Sequence, residues 1–278
     1  MLPRAASGRE SGSDAARARA FVLSSTYRPP LFLPNTDRDG ELVAATFRKL
    51  RFADIVRLRN ADPVAFATAF DAYLAALRPN SIAVIYLCGH GVQIAGQNYI
   101  LLNDGSTFVG MASMIEAARR ITPTVVVLLD ACRNNPYVAE VTQASGTARA
   151  LSLDPSATQV SRSQVQFRDV NSGTVTNSRL STFELQGSGV KIVFATDPQN
   201  YALDGALDTD INSPFANALA RRFLERRSLD DIVSMITGDV IAATEGSQSP
   251  WSQGSLGRPI FLAGPPANPV RPPFQVPG

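Results

Sequence analysis

Two strand-length apolar runs constrain this chain more than any other feature. Ser81–Leu87 reads Ser-Ile-Ala-Val-Ile-Tyr-Leu, and Thr124–Leu129 reads Thr-Val-Val-Val-Leu-Leu. The second is β-branched and apolar without alternation, the pattern of a central strand buried on both faces. Such a strand needs cover on two sides, and the flanking segments supply it as helices. Asp62-Pro63 pairs an N-cap residue with proline at the first helical position. Val64, Ala67, Phe70, Leu74 and Leu77 then recur at spacings of three and four, one buried face. Further strands are expected at Phe21–Ser25, Ile55–Leu58, Tyr99–Leu102, Val190–Ala195 and Pro259–Leu262. Further helices are expected at Leu42–Leu50, at Met111–Arg120, from Ser213-Pro214 to about Arg227, and from Ser228 onward. Strands alternating with helices predict an α/β sandwich with a mainly parallel central sheet.

Punctuation along the chain sets the expected limits of that unit. Residues 1–16 are small, polar and charged, and are expected to be disordered. Residues 138–188 are rich in Ser, Thr, Gln, Asn and Gly, unusual inside a compact domain, and read as a functional loop or a linker. The segment 264–278 is proline-rich and reads as an extended tail. The folded part is therefore expected over 17–263, in two portions, 17–137 and 189–263.

Scarce residues exclude several classes of chemistry. The chain of 278 residues has one histidine, His90, and two cysteines, Cys88 and Cys132, so His-rich metal sites and Cys-rich zinc sites are out. Two cysteines make no disulfide framework and suit a reducing compartment, so a cytoplasmic location is expected. A net charge of +2 gives no general electrostatic reason to bind nucleic acid or a membrane surface. No apolar run approaches the roughly 20 residues of a membrane span, and the N-terminus has no apolar core of a secretory signal.

The same two apolar runs end in chemically loaded turns. Ser81–Leu87 runs into Cys88-Gly89-His90-Gly91, and Thr124–Leu129 into Asp130-Ala131-Cys132-Arg133. Sites in parallel sheets form beyond the carboxyl ends of strands. An imidazole beside a thiol generates the thiolate that attacks carbonyl carbon. Glycines at His90 let backbone approach a substrate and leave amides free for an oxyanion. The plainer alternative is a turn histidine and a buried cysteine filling the core.

Leu87-Cys88-Gly89-His90-Gly91, then Gly96-Gln97-Asn98-Tyr99, then Leu128-Leu129-Asp130-Ala131-Cys132-Arg133-Asn134-Asn135-Pro136 resemble the caspase-like cysteine peptidases (clan CD, peptidase C14), and most closely the bacterial metacaspase or orthocaspase branch. His90 precedes Cys132 by 42 residues, close to the ~50 of caspases. Weaker matches are Leu33-Pro34-Asn35 and Asp39 upstream, and Ala195-Thr196-Asp197 and Asp204-Gly205 downstream. The resemblance implies a caspase-like three-layer αβα sandwich. It implies Cys132 as nucleophile, His90 as acid and base, and the N–H groups of Gly91 and Cys132 as oxyanion hole. It places Asp39 and Asp130 in the pocket for the residue before the cut (S1). Cys88 stands where the family often has Ser, and the resemblance places it at the same pocket.

Two carboxylates suit a guanidinium or ammonium and repel an acidic side chain. Cleavage after Arg or Lys is therefore expected, with Asp39 as a solvated turn or cap aspartate the alternative. In this clan the segment after the nucleophile strand is commonly cut, so Arg149, Arg162, Arg168 and Arg179 are candidate self-cleavage sites. No cofactor or metal is expected. Calcium at Asp197, Asp204, Asp208 and Asp210 is a minor alternative, since their spacing fits no EF-hand loop. The implied partners are proteins or peptides with a basic residue before the cut, and a regulatory protein upstream in stress, defence or cell death. A monomer is expected. The competing readings are a catalytically weak caspase-fold interaction module and another thiol hydrolase or transferase.

Overall fold

The structure is a computed structural model that describes residues 12–94, 97–132, 167–169, 175–177, 183, 188–197, 202–204 and 211–267. Its strands are β1 (Ala18–Ser24), β2 (Asp54–Arg59), β3 (Ile82–Ile94), β4 (Gln97–Leu101), β5 (Thr107–Gly110), β6 (Thr124–Cys132), β7 (Phe167–Asp169), β8 (Val175–Asn177), β9 (Val190–Phe194) and β10 (Trp251–Ser255). Its helices are α1 (Thr36–Lys49), α2 (Pro63–Ala76), α3 (Met111–Arg119), α4 (Pro214–Arg222) and α5 (Leu229–Ala243). The main sheet runs β2-β1-β3-β6-β9-β10, parallel except for β10. Phe21, Ile85, Val127 and Ile192 face α2 and α3. Val22, Val84, Leu128 and Val193 face α1, α4 and α5. This is the expected three-layer sandwich, and β3 and β6 at its centre carry the two apolar runs.

Strand β3 belongs to two sheets. Up to His90 it pairs with β6 in the main sheet. From Gly91 to Ile94 it pairs antiparallel with β4. A small sheet continues through β5 to β7, with β8 against the end of β3. His90 therefore sits where β3 leaves the main sheet.

Helix α2 starts as its cap predicts, with the Asp62 carboxylate accepting from Ala65 N at 2.8 Å. Helix α1 begins at Thr36, six residues before its expected start at Leu42. Its first turn holds Asp37 and Asp39, favourable at a helix N-terminus. Gly40 there packs closely: the Arg57 guanidinium nitrogen lies 2.5 Å from where a Cβ would stand, so a larger residue would need Arg57 to shift. An acidic, glycine-bearing stretch gives no apolar periodicity, so the period does not reach back to Thr36.

Three expectations at the ends of elements are corrected. Pro259–Leu262 is not a strand. Ile260 and Leu262 are buried in irregular backbone, and the Phe261 N–H donates to Asp14 at 2.8 Å. The last strand is instead β10, a polar edge strand whose Trp251 stacks on Phe194 at 4.5 Å. The helix expected to reach Arg227 ends at Arg222, because Phe223 turns into the core. The segment expected to be disordered through residue 16 gives way earlier, to a 3-10 turn at Asp14–Arg17 with Asp14 and Ala15 buried. Among the described residues no helix is long and apolar enough to cross a membrane.

Candidate active site

The register of β3 against β6 sets the site. Leu87 pairs with Leu129, Cys88 with Asp130, Gly89 with Ala131, and His90 with Cys132. Neighbouring strands lie about 5 Å apart, so the backbones of His90 and Cys132 stand side by side at the carboxyl edge. Gly91 follows, registered with Ile100 of β4.

His90 is buried, and its ring is held from the loop after β1. Nε2 lies 2.8 Å from the Leu31 carbonyl oxygen. A carbonyl only accepts, so Nε2 carries the hydrogen and Nδ1 presents a lone pair. Nδ1 has no hydrogen-bond partner among the described residues. Burial pushes the imidazole below its ordinary pKa, while the Leu31 carbonyl pulls it back. The ring is thus neutral and has its base nitrogen unused. The Tyr27 ring packs against it, centroids 4.7 Å apart. Gly89 has φ +152°, and a Cβ there would lie 2.5 Å from the Tyr27 hydroxyl oxygen.

A second group of side chains lies beside Cys88. The carboxylates of Asp39 and Asp130 and the Cys88 sulfur offer atoms within 4.8 Å of one another, all buried. Asp39 Oδ1 accepts from Asn212 Nδ2 at 2.8 Å and from Ser213 N at 2.9 Å. Asp130 Oδ2 accepts from the Tyr86 hydroxyl and from the Ser213 hydroxyl, each at 2.7 Å. Cys88 Sγ is 3.9 Å from Asp39 Oδ2. Ser213 also accepts from Ala216 N at 2.9 Å, so the residue capping α4 bonds both carboxylates.

Neither carboxylate has an Arg or Lys partner among the described residues. Burial raises the Asp39 pKa, and the Asp130 charge raises it further against the Asn212 and Ser213 bonds. Burial raises that of Asp130 too, against its bonds from Ser213 and Tyr86. Two like charges this close resist ionising together, so the pair keeps a proton. Asp204, which accepts from Asn35 N at 3.2 Å, adds further negative charge.

The structure therefore brings Asp39, Cys88 and Asp130 together and sets His90 beside Cys132. It excludes the alternative of Asp39 as a solvated turn, since the residue is 0% exposed. Asp39, Cys88 and Asp130 are the one group among the described residues with metal-ligand spacing; Asp197 and Asp204 do not join it. Asp208 and Asp210 lie outside the described residues, as do Arg149, Arg162 and Arg179. Arg168 stands in β7, registered with Phe108 of β5. Sequence reasoning missed Tyr27, Leu31, Tyr86 and Asn212 as site residues, and saw Ser213 only as a cap. The Ser-Pro pair marked that cap, but nothing local says which carboxylates it faces.

Comparison with known proteins agrees with the fold. The family model described as Caspase domain matches residues 17–261. Among solved structures, caspase-1 from Spodoptera frugiperda superposes with a TM-score of 0.59 at 11% identity, covering 96% of this chain and 100% of that one. At that identity the likeness is one of fold. No curated protein matches the sequence.

Proposed function

The chain belongs to the caspase-domain family, and from that footing we propose that it is a cysteine endopeptidase cutting proteins after Arg or Lys. The observation that carries the specificity is the buried Asp39–Asp130 pair, which has no basic partner among the described residues. A guanidinium entering there gains two carboxylates in a low-dielectric site and can be held by more than one hydrogen bond. An acidic side chain would meet like charge there. This pocket chemistry is that of the metacaspase and orthocaspase branch.

The proposed steps follow from the strand ends. Nδ1 of His90 takes the Cys132 thiol proton, and the thiolate sulfur attacks the peptide carbonyl carbon. The oxyanion accepts from the N–H groups of Gly91 and Cys132. As the C–N bond breaks, the imidazolium returns the proton to the leaving amine. Water, deprotonated by the same imidazole, then hydrolyses the thioester and restores the thiol. No cofactor takes part, and the enzyme acts as a monomer.

Regulation is proposed through self-cleavage after Arg149, Arg162, Arg168 or Arg179, or through an upstream partner in stress, defence or cell death. An arginyl chloromethylketone tests the peptidase proposal. The expected result is one adduct on Cys132 of the wild type and none on Cys132→Ala, with an aspartyl analogue leaving the protein unlabelled. Absence of labelling, or labelling by the aspartyl reagent instead, would overturn it.

A further inference from the structure

Tyr27 makes two contacts with His90 and a third with Leu101. The His90 N–H donates to the Tyr27 hydroxyl oxygen at 2.9 Å. That hydroxyl donates onward to the Leu101 carbonyl at 2.9 Å. The phenol ring lies against the imidazole at 4.7 Å. The residue is held in turn: its own N–H donates to Asn103 Oδ1 at 2.9 Å, and its backbone takes φ 59°, uncommon for a side chain of this size. Two further features fit this placement. Gly89 leaves no Cβ where the hydroxyl sits. A cavity of about 500 Å³ is lined by Tyr27, Leu31, Asn60 and Asn103 but not by His90.

We propose that Tyr27 is a positioning residue for His90. Its hydroxyl pins the backbone where β3 passes from one sheet to the other, and its ring keeps the imidazole in the orientation that sends Nε2–H to Leu31 and leaves Nδ1 free. A base displaced by about 1 Å can lose some hundredfold in rate, and His90 has a glycine on either side, Gly89 and Gly91, to permit such a shift. Strand pairing with β6 fixes the height of His90. The bridge from Tyr27 fixes its rotation.

The kinetic side of this inference rests on the peptidase proposal, while the spectroscopic side does not. The variant is Tyr27→Phe, which keeps the ring and removes the bridge. Because the chain has a single histidine, imidazole ¹⁵N shifts report His90 alone, and they are recorded in a Cys132→Ala background. With Tyr27 in place the spectrum is expected to show one Nε2–H tautomer. In the Tyr27→Phe variant it is expected to move toward a tautomer average, and in the catalytic background kcat is expected to fall about 10- to 100-fold with KM within twofold. An imidazole spectrum unchanged by Tyr27→Phe, or a raised KM with unchanged kcat, would overturn the proposal whatever the melting temperature does. If the Tyr27→Phe variant does not fold, hydrogen exchange at the His90 amide of the Cys132→Ala protein decides: protection like that of Val84 and Ile85 is expected, and loop-like exchange contradicts it. A protein that cleaves nothing yet shows the tautomer change loses the peptidase proposal and keeps this one.

Discussion

The two halves of the site solve opposite electrostatic problems. On one side, Asp39 and Asp130 are buried acidic groups whose hydrogen-bond donors come from Tyr86, Asn212 and the cap of α4, with no cation among the described residues to balance them. On the other, His90 is buried and neutral, with one nitrogen satisfied and one left open. In the proposed reading the first half is completed by an arriving cation. The second is already in the protonation state it needs. Burial does both jobs, raising the carboxyl pKa values and lowering that of the imidazole. What differs is what each group lacks among the described residues: the carboxylates lack a charge partner, and the imidazole lacks a hydrogen-bond partner at Nδ1. Binding specificity and chemistry are thus separable, and substitutions on the two sides should separate them.

The largest effect belongs to the neutral half. His90→Ala should lower kcat/KM about 10²- to 10⁴-fold for every substrate alike, since it removes the proton carrier and leaves the pocket intact. Steady-state kinetics on several peptides checks this, and a loss confined to Arg substrates would break the comparison. Next comes Asp130→Asn. Unbalancing a buried ion pair costs about 2–5 kcal/mol, so cleavage after Arg should fall about 30-fold or more while reactivity of Cys132 toward a neutral alkylating agent stays. A parallel loss of alkylation would join the halves again.

The third prediction concerns pH. Burial and the Asp130 charge raise Asp39 to about 8, so the folded state holds a proton that the unfolded chain has already released. Below the ordinary carboxylate range both states are protonated and this group's contribution is fully present. From there up to about pH 8 stability should fall, on the order of 1 kcal/mol per pH unit. Melting curves of the free protein should show that decline, Asp39→Asn should flatten it, and a saturating arginine-based inhibitor should oppose it. A wild-type profile flat from about pH 5 to 8 would contradict the unpaired-charge picture. The smallest effect is Ser213→Ala. Losing the α4 cap and one carboxylate donor should cost about 1–2 kcal/mol, a few degrees in melting temperature, with preference for Arg retained. A full loss of that preference would promote Ser213 from support to recognition.

How much was legible follows the same division. The apolar runs of β3 and β6 are contiguous, so the parallel sheet could be anticipated from them. The turns expected at Cys88–Gly91 and Asp130–Arg133 do not begin there: β3 continues to Ile94 and β6 to Cys132, because the ladder between them carries on through Cys88–Asp130 to His90–Cys132. Asp39 and Asp130 were expected together because the motifs resemble a family, since their separation along the chain carries no local signal. Tyr27, Leu31, Tyr86 and Asn212 escaped because their roles depend on which segments the fold brings over the sheet edge, where neither period nor propensity speaks. Pro259–Leu262 misled for a related reason: an apolar run can be buried as irregular backbone when a side chain such as Asp14 satisfies its amide. The polar β10 stayed hidden because an edge strand needs no apolar alternation.

The most direct measurement is the turnover by purified wild-type protein of two peptides identical but for Arg or Asp before the scissile bond. Cleavage of the Arg peptide at least a hundredfold faster, abolished in Cys132→Ala, is the result this arrangement requires. Preference for Asp would mean that the buried carboxylate pair does not receive the substrate, and the assignment of the pocket would fall.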